Sequence, residues 1–381
     1  MTQDKIKYIT GEFWTSKQRQ MHSLHYAISY RASFKPELPD FFINNFTNKY
    51  DIVGDPFGGR GTTALQSALT ERIALSNDVN PLSERIVYPK LHPVSIKEIE
   101  NRLNEINLNK DIDISIEEDM SMFYHPETYK EIINLKNYLK THRDNTDRFI
   151  EMIAISRLHG HSKGFFSTYT FPQISIPKYR QQKINESRKE YPDYREIKSR
   201  IIKKAKETLK SGELEILKNN SNKHILTTND ARNLKDWKDN SVNIIITSPP
   251  FLNQVDYIQD NWIENWFCGI SNDDLKDKII QTPNLNEWTQ FISDVIYELY
   301  RVLVPNGIIA MEVGEVKYQN KILNLDEIIL ELICSKHHNK QFNVKEIYIQ
   351  SQQFTKLANC FNVSNNKKGT NTNRILVIEK I

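Results

Sequence analysis

Hydrophobic positions along the chain alternate between short β-type runs and longer helical patterns. Runs rich in β-branched residues predict buried strands at Ile52–Val53, at 72–78 (RIALSND), at 224–230 (HILTTND) and at 242–248 (VNIIITS). The pattern continues with a helix near 286–303, a strand at 307–313, a helix near 325–335, and strands near 343–350 and 374–379. Alternating strands and helices predict an α/β fold with a doubly wound, mostly parallel sheet.

One long segment interrupts this alternation. Residues 92–222 are mainly helical in pattern and strongly charged, without a clear strand candidate. A segment of roughly 130 residues is far too long for a βα loop, which usually has about 2–6 residues. We therefore predict that 1–91 and 223–381 form one domain around the sheet, and that 92–222 is an inserted, mainly helical module.

Composition excludes several classes of protein. The 381 residues are 39% hydrophobic, enough for a large core, and the net charge of +3 does not mark the whole molecule as a polyanion binder. The three cysteines are scattered without CxxC spacing, which argues against disulfides and zinc and predicts a reducing, cytoplasmic location. His159 and His161 have no third ligand at suitable spacing, so no metal site is expected. No apolar run approaches 18 residues, so no membrane association is expected.

A glycine-rich turn follows the first predicted strand. Gly59, Gly61 and Ala64 satisfy the pattern GxGxxA, and Asp78 lies 17 residues beyond Gly61. The glycines let the backbone approach a ligand, and an acid at the end of the next strand accepts hydrogen bonds from ribose hydroxyls. This predicts a cofactor that carries a nucleoside, and a nicotinamide dinucleotide remains open from these residues alone. Thr62 and Thr63 are predicted to cap the following helix.

A second unusual feature is the end of the strand at 242–248, which runs into Ser248-Pro249-Pro250-Phe251. Proline cannot donate to a sheet ladder, so the pair ends the strand and stiffens the loop after it. The loop would present Ser248 and Phe251 at a strand's carboxyl end, where open α/β sheets bind ligands. A proline-rich turn without further function is the alternative.

Taken together, "DPFGGRGTT" (55–63) and "TSPPF" (247–251) resemble the motifs of the S-adenosylmethionine-dependent amino-methyltransferases of DNA, which make N4-methylcytosine or N6-methyladenine. Four further stretches resemble this family: residues 22–43, 229–251, 301–315 and 373–380. The resemblance covers 22–90 and 224–381 and leaves out the insert. It implies a Rossmann-like methyltransferase sheet and S-adenosyl-L-methionine as the cofactor.

The resemblance also implies roles for cofactor-binding residues. The methionine end of the cofactor would be lined by Asp55, Phe57, Gly59, Gly61 and Thr62, and residues 22–43 would close over it. Asp78 would hold the ribose hydroxyls and Asp230 the adenine amino group. An N-cap of a helix starting at "ARNL" is the alternative for Asp230.

The catalytic residues would be Ser248, Pro249, Pro250 and Phe251. An exocyclic amine of a base is a poor nucleophile because its lone pair is delocalised into the ring. Ser248 Oγ and the Pro249 carbonyl would accept its N–H bonds, Pro250 would stiffen the loop, and Phe251 would stack on a base flipped out of the duplex. No metal is required.

Two target bases fit these motifs. Serine at position 248 resembles the N4-cytosine enzymes, so cytosine N4 is preferred and adenine N6 is the alternative. Methylation of cytosine C5 needs a thiolate nucleophile, and no cysteine here follows a proline. An amino-methyltransferase of RNA or protein is a second alternative, and a non-catalytic DNA-binding module is a third.

The insert is the largest segment outside the family motifs, so we predict that it recognises the target in double-stranded DNA. Residues 178–210 contain twelve Lys or Arg against five Asp or Glu, with three tyrosines between them. A basic, aromatic-bearing helix fits phosphate contacts, and a merely solvated face is the alternative. The predicted DNA contacts are Lys178, Arg180, Lys183, Arg188 and Lys189. The polar loop 362–374 approaches DNA or is disordered, and a separate cognate restriction endonuclease and the oligomeric state are left open.

Overall fold

The computed structural model describes residues 6–14, 21–31, 33–115, 117–171, 174–252, 255–319, 321–335, 341–355 and 368–381. The strands are β1 (Lys7–Gly11), β2 (Ile52–Asp55), β3 (Ile73–Asn77), β4 (Ile225–Thr227), β5 (Val242–Thr247), β6 (Leu303–Val313), β7 (Glu315–Tyr318), β8 (Lys321–Asn324), β9 (Phe342–Thr355) and β10 (Lys368–Lys380). The helices are α1 (Glu37–Phe46), α2 (Thr62–Leu69), α3 (Leu82–Leu91), α4 (Ile96–Glu105), α5 (Pro126–Thr141), α6 (Asn145–Ile155), α7 (Lys178–Arg188), α8 (Ile197–Thr208), α9 (Leu214–Asn220), α10 (Trp262–Cys268), α11 (Asn272–Lys276), α12 (Leu285–Val302) and α13 (Leu325–Cys334).

Eight strands form one sheet in the order β1-β9-β10-β6-β5-β2-β3-β4, and β7 pairs with β8 in a separate hairpin. All pairings in the large sheet are parallel except the two made by β10, which runs antiparallel to β6 and β9. This confirms the predicted doubly wound, mostly parallel α/β fold. The strand order reverses between β2 and β5, and such a switch point leaves a crevice at the strands' carboxyl ends.

Both faces of the sheet are buried, which explains why β5 is apolar at nearly every position. Ile244 and Ile246 pack towards α1, in a cluster with Phe42 and Ile43. Ile245 faces the other way, into the cluster formed with α12 and α13. Parallel strands covered on both sides require such nearly continuous apolar runs.

The insert packs directly against the rest of the molecule. Its helices α4, α5, α6, α8 and α9 contribute to one buried cluster that also contains residues of α2, α3 and α10, and Ile184 of α7 packs against this cluster. Domain boundaries at 91/92 and 222/223 therefore stay a prediction. The basic segment 178–210 contains two helices, α7 and α8. Lys189 ends α7 with a positive φ of 51°, and Pro192 follows.

The hydrophobic pattern did not predict some of the elements. Strand β1 is a short edge strand that pairs only with β9, and its positions are largely exposed. Helix α1 has Pro36 at its N-cap and Pro39 in its first turn, where proline is tolerated. The polar loop predicted at 362–374 lies outside the described residues except for 368–374, which belong to β10. No helix in the described part of the chain is long and apolar enough to cross a bilayer.

Candidate active site

A cleft opens at the carboxyl ends of β2, β3 and β5, at the switch point of the sheet. Eight of the eleven residues predicted to be catalytic or cofactor-binding line it: Asp55, Phe57, Gly59, Thr62, Asp78, Asp230, Ser248 and Pro250. The other three, Gly61, Pro249 and Phe251, are not among its walls. Residues up to 195 positions apart in sequence thus meet in one place.

The glycine-rich turn brings the start of α2 close to the cleft. Gly59 and Gly61 have φ angles of +49° and +76°, which favour glycine. A Cβ on Gly61 would also lie 2.6 Å from Val87 Cγ2 in α3. The predicted capping by Thr62 and Thr63 is wrong, because Gly61 is the N-cap residue and makes no side-chain bond. The Thr63 hydroxyl instead donates to the Ile246 carbonyl at 3.0 Å, and so ties α2 to β5.

Asp55 joins the two loops that follow β2 and β5. Its Oδ1 accepts hydrogen bonds from the Thr247 hydroxyl at 2.7 Å and from the Phe57 backbone N–H at 3.1 Å. The residue is 1% exposed. Burial raises the pKa of Asp55 to about 7, although the hydrogen bonds from Thr247 and Phe57 oppose the shift. Asp55 therefore links the glycine-rich turn to the residue just before Ser248.

Asp78, which directly follows the neighbouring strand β3, binds the glycine-rich turn. Its Oδ2 accepts the Gly59 backbone N–H at 2.8 Å, and its Oδ1 accepts the Asn80 backbone N–H at 2.9 Å. Burial raises the pKa of Asp78 to about 6 against these two bonds. Each oxygen of an ionised carboxylate has a second lone pair, so the side chain can still accept hydrogen bonds from a ligand in the cleft.

Asp230 lies in the loop after β4 and no helix begins there, so the alternative helix-capping role is wrong. Its carboxylate binds Arg232 instead, with Oδ1 2.9 Å from the backbone nitrogen and Oδ2 2.6 Å from Nη2. Burial alone would raise the pKa of Asp230, but the hydrogen bonds from Arg232 outweigh it and the pKa is lowered. The carboxylate is therefore ionised in a wall of the cleft.

The loop at Ser248–Phe251 is fixed by contacts on both sides. The Pro250 carbonyl accepts the indole N–H of Trp288 at 2.8 Å, and Ser248 faces the cleft. The ring of Phe251 packs near Gly314, where an added Cβ would lie 3.1 Å from it. Its stacking role stays a prediction. Tyr257 lines the cleft close to this loop, and burial together with the nearby Asp78 raises its pKa to about 12.

Several other walls of the cleft come from segments outside the glycine-rich turn and the Ser248–Phe251 loop. Residues 22–43 contribute Tyr30, Arg31, Ser33 and Phe34, within the stretch that the family resemblance had pointed to. Phe291 of α12 and the segment 278–280 were not predicted. Ile279 of that segment packs with Ile258 and Leu275, so only tertiary packing brings it to the cleft.

The insert is anchored beside the cleft by buried polar contacts. The Ser175 backbone N–H donates to the Asp260 carbonyl at 2.8 Å, and the Trp262 indole N–H donates to the Ile176 carbonyl at 3.0 Å. The Asp260 carboxylate in turn binds Arg31, a cleft residue, at 2.6 Å. Helix α7 begins two residues after Ile176, so this junction sets where it lies.

Of the two histidines at 159 and 161, His159 contacts a carboxylate at the centre of this junction. Glu264 accepts the Ser175 hydroxyl at 2.6 Å and lies 2.7 Å from His159 Nε2. Burial alone would raise the pKa of Glu264, but His159 and Ser175 outweigh it and the pKa is lowered. Among the described residues, no group of three or more His, Cys, Asp or Glu side chains is arranged to hold a metal.

The predicted DNA-contacting residues lie on or just after α7. Arg180, Lys183, Arg188 and Lys189 are exposed, and Lys178 forms an ion pair with Glu118. Arg188 also pairs with Glu190, at 2.8 Å. Aromatic rings lie between the cations: Tyr179 is 63% exposed, and Arg180 lies 5.7 Å from the ring centroid of Phe171. The surface is basic and aromatic, but part of its charge is already paired.

The fold and the cleft together define a class of nucleoside-binding α/β protein. Three carboxylates, Asp55, Asp78 and Asp230, line one cleft beside a glycine turn. Such acceptors suit the hydrogen-bond donors of S-adenosylmethionine, which are an ammonium group, ribose hydroxyls and an adenine amino group. The residues present therefore fit this cofactor.

Comparison with known proteins identifies the family. The model of the N6/N4 DNA methylase family matches residues 2–88 and 242–380, and the chain belongs to this family, whose enzymes use S-adenosylmethionine. The match leaves out residues 89–241, which contain the insert.

Two curated relatives are type II methyltransferases. The type II methyltransferase M.BsoBI of Geobacillus stearothermophilus is 23% identical over 67% of this chain and 54% of its own length. The type II methyltransferase M.HpaI of Haemophilus parainfluenzae is 31% identical over 27% of each chain. This chain therefore spans about half or less of the length of the curated relatives it matches.

Among solved structures, TrmN from Thermus thermophilus is similar over 92% of this chain and 50% of its own, with 12% identity and a TM-score of 0.35. A likeness at this level supports no functional conclusion.

Proposed function

We propose that the protein transfers a methyl group from S-adenosylmethionine to the exocyclic amine of a base flipped out of double-stranded DNA, with cytosine N4 as the target. The observation that supports this most directly is that Ser248 and the three carboxylates Asp55, Asp78 and Asp230 line the same cleft. A nucleotide that enters beside Ser248 would therefore meet the cofactor without a further rearrangement of the sheet. Positioning of this kind supplies much of the rate of a bimolecular substitution.

In this proposal, Asp78 accepts hydrogen bonds from the ribose hydroxyls, and Asp230 accepts one from the adenine amino group. The bound cofactor supplies an electrophilic sulfonium methyl group. Ser248 Oγ accepts an N–H of the target amine, which localises the nitrogen lone pair and stabilises the positive charge that develops on attack. The bond between Trp288 and the Pro250 carbonyl keeps this acceptor in place. Aromatic residues in the cleft walls, such as Tyr257, offer a surface for the flipped base.

The choice of cytosine N4 rests on Ser248, because serine at this position resembles the N4-cytosine enzymes. Adenine N6 is the alternative, and it uses the same cleft and the same chemistry. Both bases present an exocyclic amine to the same acceptors.

Helix α7 is the proposed DNA-binding element. Its N-terminal end is held by Ser175 and Ile176 against the segment that follows the catalytic loop. Exposed Arg180, Lys183 and Lys189 would contact backbone phosphates, and such contacts position a protein on the duplex without reading its sequence. The exposed Tyr179 and Tyr191, on either side of these cations, fit stacking or groove contacts.

The test is methyl transfer from isotope-labelled S-adenosylmethionine to unmodified duplex DNA of mixed sequence, followed by digestion and mass spectrometry of the nucleosides. N4-methylcytosine would support the whole proposal. N6-methyladenine would retain the reaction and overturn the choice of base. Label that appears only in RNA or protein offered in parallel would replace DNA as the substrate, and absence of transfer to all three would overturn the proposed activity.

A further inference from the structure

We propose that Arg232 is a positioning residue for cofactor recognition: it holds the Asp230 carboxylate in the orientation that selects an adenine amino group. The inference rests on the proposed role of Asp230 in binding adenine. Arg232 itself is not a wall of the cleft, whereas Asp230 and Ala231 are. Any effect of Arg232 on the adenine would therefore pass through Asp230.

The geometry of the pair fits this role. The Arg232 backbone nitrogen and Nε lie 2.9 and 3.0 Å from Asp230 Oδ1, and Nε and Nη2 lie 3.1 and 2.6 Å from Oδ2. Three donors thus contact the carboxylate, with Nε shared between its two oxygens. A carboxylate offers about four acceptor positions. Nε carries one hydrogen and lies nearer Oδ1, so Nη2 is the one full donor to Oδ2. One position on Oδ2 therefore remains for a donor from the ligand, in a direction that the arginine sets.

An aromatic ring holds the guanidinium of Arg232 from another side. Its Cζ lies 5.5 Å from the ring centroid of Phe291, and Phe291 is a wall of the same cleft. The arginine therefore lies against two residues of the cleft wall, Asp230 and Phe291. Asp230 lies in a loop with its side chain 35% exposed, and without the guanidinium its carboxylate would keep one described hydrogen bond, from the backbone N–H at position 232.

The experiment compares two product analogues by calorimetry. S-adenosylhomocysteine carries the 6-amino group, whereas S-inosylhomocysteine presents a carbonyl oxygen at that position, which a carboxylate repels. The wild-type protein should prefer the adenosine compound. Arg232→Ala should reduce this preference by about tenfold, since a hydrogen bond to a charged group is worth at least that factor. Arg232→Lys should restore only part of the preference, because lysine cannot make the bidentate contact.

Two further variants separate the possible outcomes. Lys235→Ala removes an exposed positive charge three residues away and should leave the preference unchanged. If Asp230→Ala abolishes the preference and Arg232→Ala does not reduce it, the inference is overturned while the role of Asp230 stands. If neither variant changes the preference of a wild-type protein that binds both analogues, the contact between Asp230 and adenine is itself wrong. The methyl-transfer assay on DNA tests the proposed reaction independently of both results.

Discussion

At the scale of single residues, the hydroxyl of Ser248 has the largest proposed part in the reaction. Ser248→Ala removes one acceptor and leaves the backbone of the rigid loop intact. We expect single-turnover methyl transfer to fall by about 10²–10⁴-fold, in the range of a positioned polar group. The dissociation constant of S-adenosylmethionine should change little, because the cofactor carboxylates are untouched.

The matched control for Ser248 is Ser241→Ala, just before the opposite end of the same strand, where the hydroxyl donates only to the Lys238 carbonyl. This variant should keep near-normal turnover. Turnover of Ser248→Ala within about threefold of the wild type, in a protein that still binds cofactor, would contradict the acceptor role.

At the scale of elements, the junction between the insert and α10 should set the position of α7, and the position of α7 should in turn set the affinity for DNA. Ser175→Ala removes the hydrogen-bond partner of Glu264 Oε2 and of the Ile263 backbone N–H in a buried site, while His159 remains beside Oε1. Leaving a buried group unpaired costs about 1–3 kcal/mol. We expect the free energy of unfolding to fall by that amount and DNA affinity, measured by fluorescence anisotropy, to weaken severalfold.

Cofactor affinity of the Ser175→Ala variant should remain normal, because Ser175 lies outside the cleft. Ser162→Ala, at an exposed position of the insert, is the control and should change neither quantity. Equal losses of DNA and cofactor affinity would point to general unfolding rather than to a displaced α7.

The charge on and next to α7 gives a separate prediction. If Arg180 and Lys189 contact phosphates, each substitution to alanine should lower the slope of log K against log salt by about 0.9. The same fall in affinity should occur on every DNA sequence, because phosphate contacts carry no sequence information. Lys218→Ala on α9, whose lysine pairs with Glu215 at 3.3 Å, should leave the slope unchanged. An unchanged slope in both α7 variants would assign DNA binding to another surface.

At the scale of the whole molecule, the sequence predicted the parts of the fold that are buried on both sides. Strands such as β5 must be mostly apolar, and the motifs at their ends identified most of the cleft. Ile279 and Phe291 could not be predicted, because nothing local distinguishes a cleft wall from an ordinary core position. The ion pair between Asp230 and Arg232 is local, but its geometry depends on side-chain rotamers that the sequence does not determine.

The buried carboxylates should also make the stability of the cofactor-free protein depend on pH in an unusual direction. The pKa of Asp55 is about 7 in the folded protein, whereas an unfolded chain returns it to about 3.9. Between these values the folded state binds a proton that the unfolded state has released. The free energy of unfolding therefore falls as pH rises from about 4 to about 7, by up to about 1.4 kcal/mol per pH unit. Asp78 and Glu312, with pKa values raised by burial to about 6 and about 7, add slopes of the same sign.

Asp55→Asn isolates the contribution of one group to this slope. The amide oxygen can accept the same bonds from Thr247 and Phe57, but asparagine does not titrate. We expect urea denaturation at pH 5.5, 6.5 and 7.5 to show a smaller decrease in the free energy of unfolding with rising pH for this variant than for the wild type. The residual slope would come from Asp78 and Glu312. Asp51→Asn, at the opposite end of β2, should retain the full slope. Identical slopes for Asp55→Asn and the wild type would mean that Asp55 is ionised in the folded protein throughout this range, and hence that its bonds to Thr247 and Phe57 outweigh its burial.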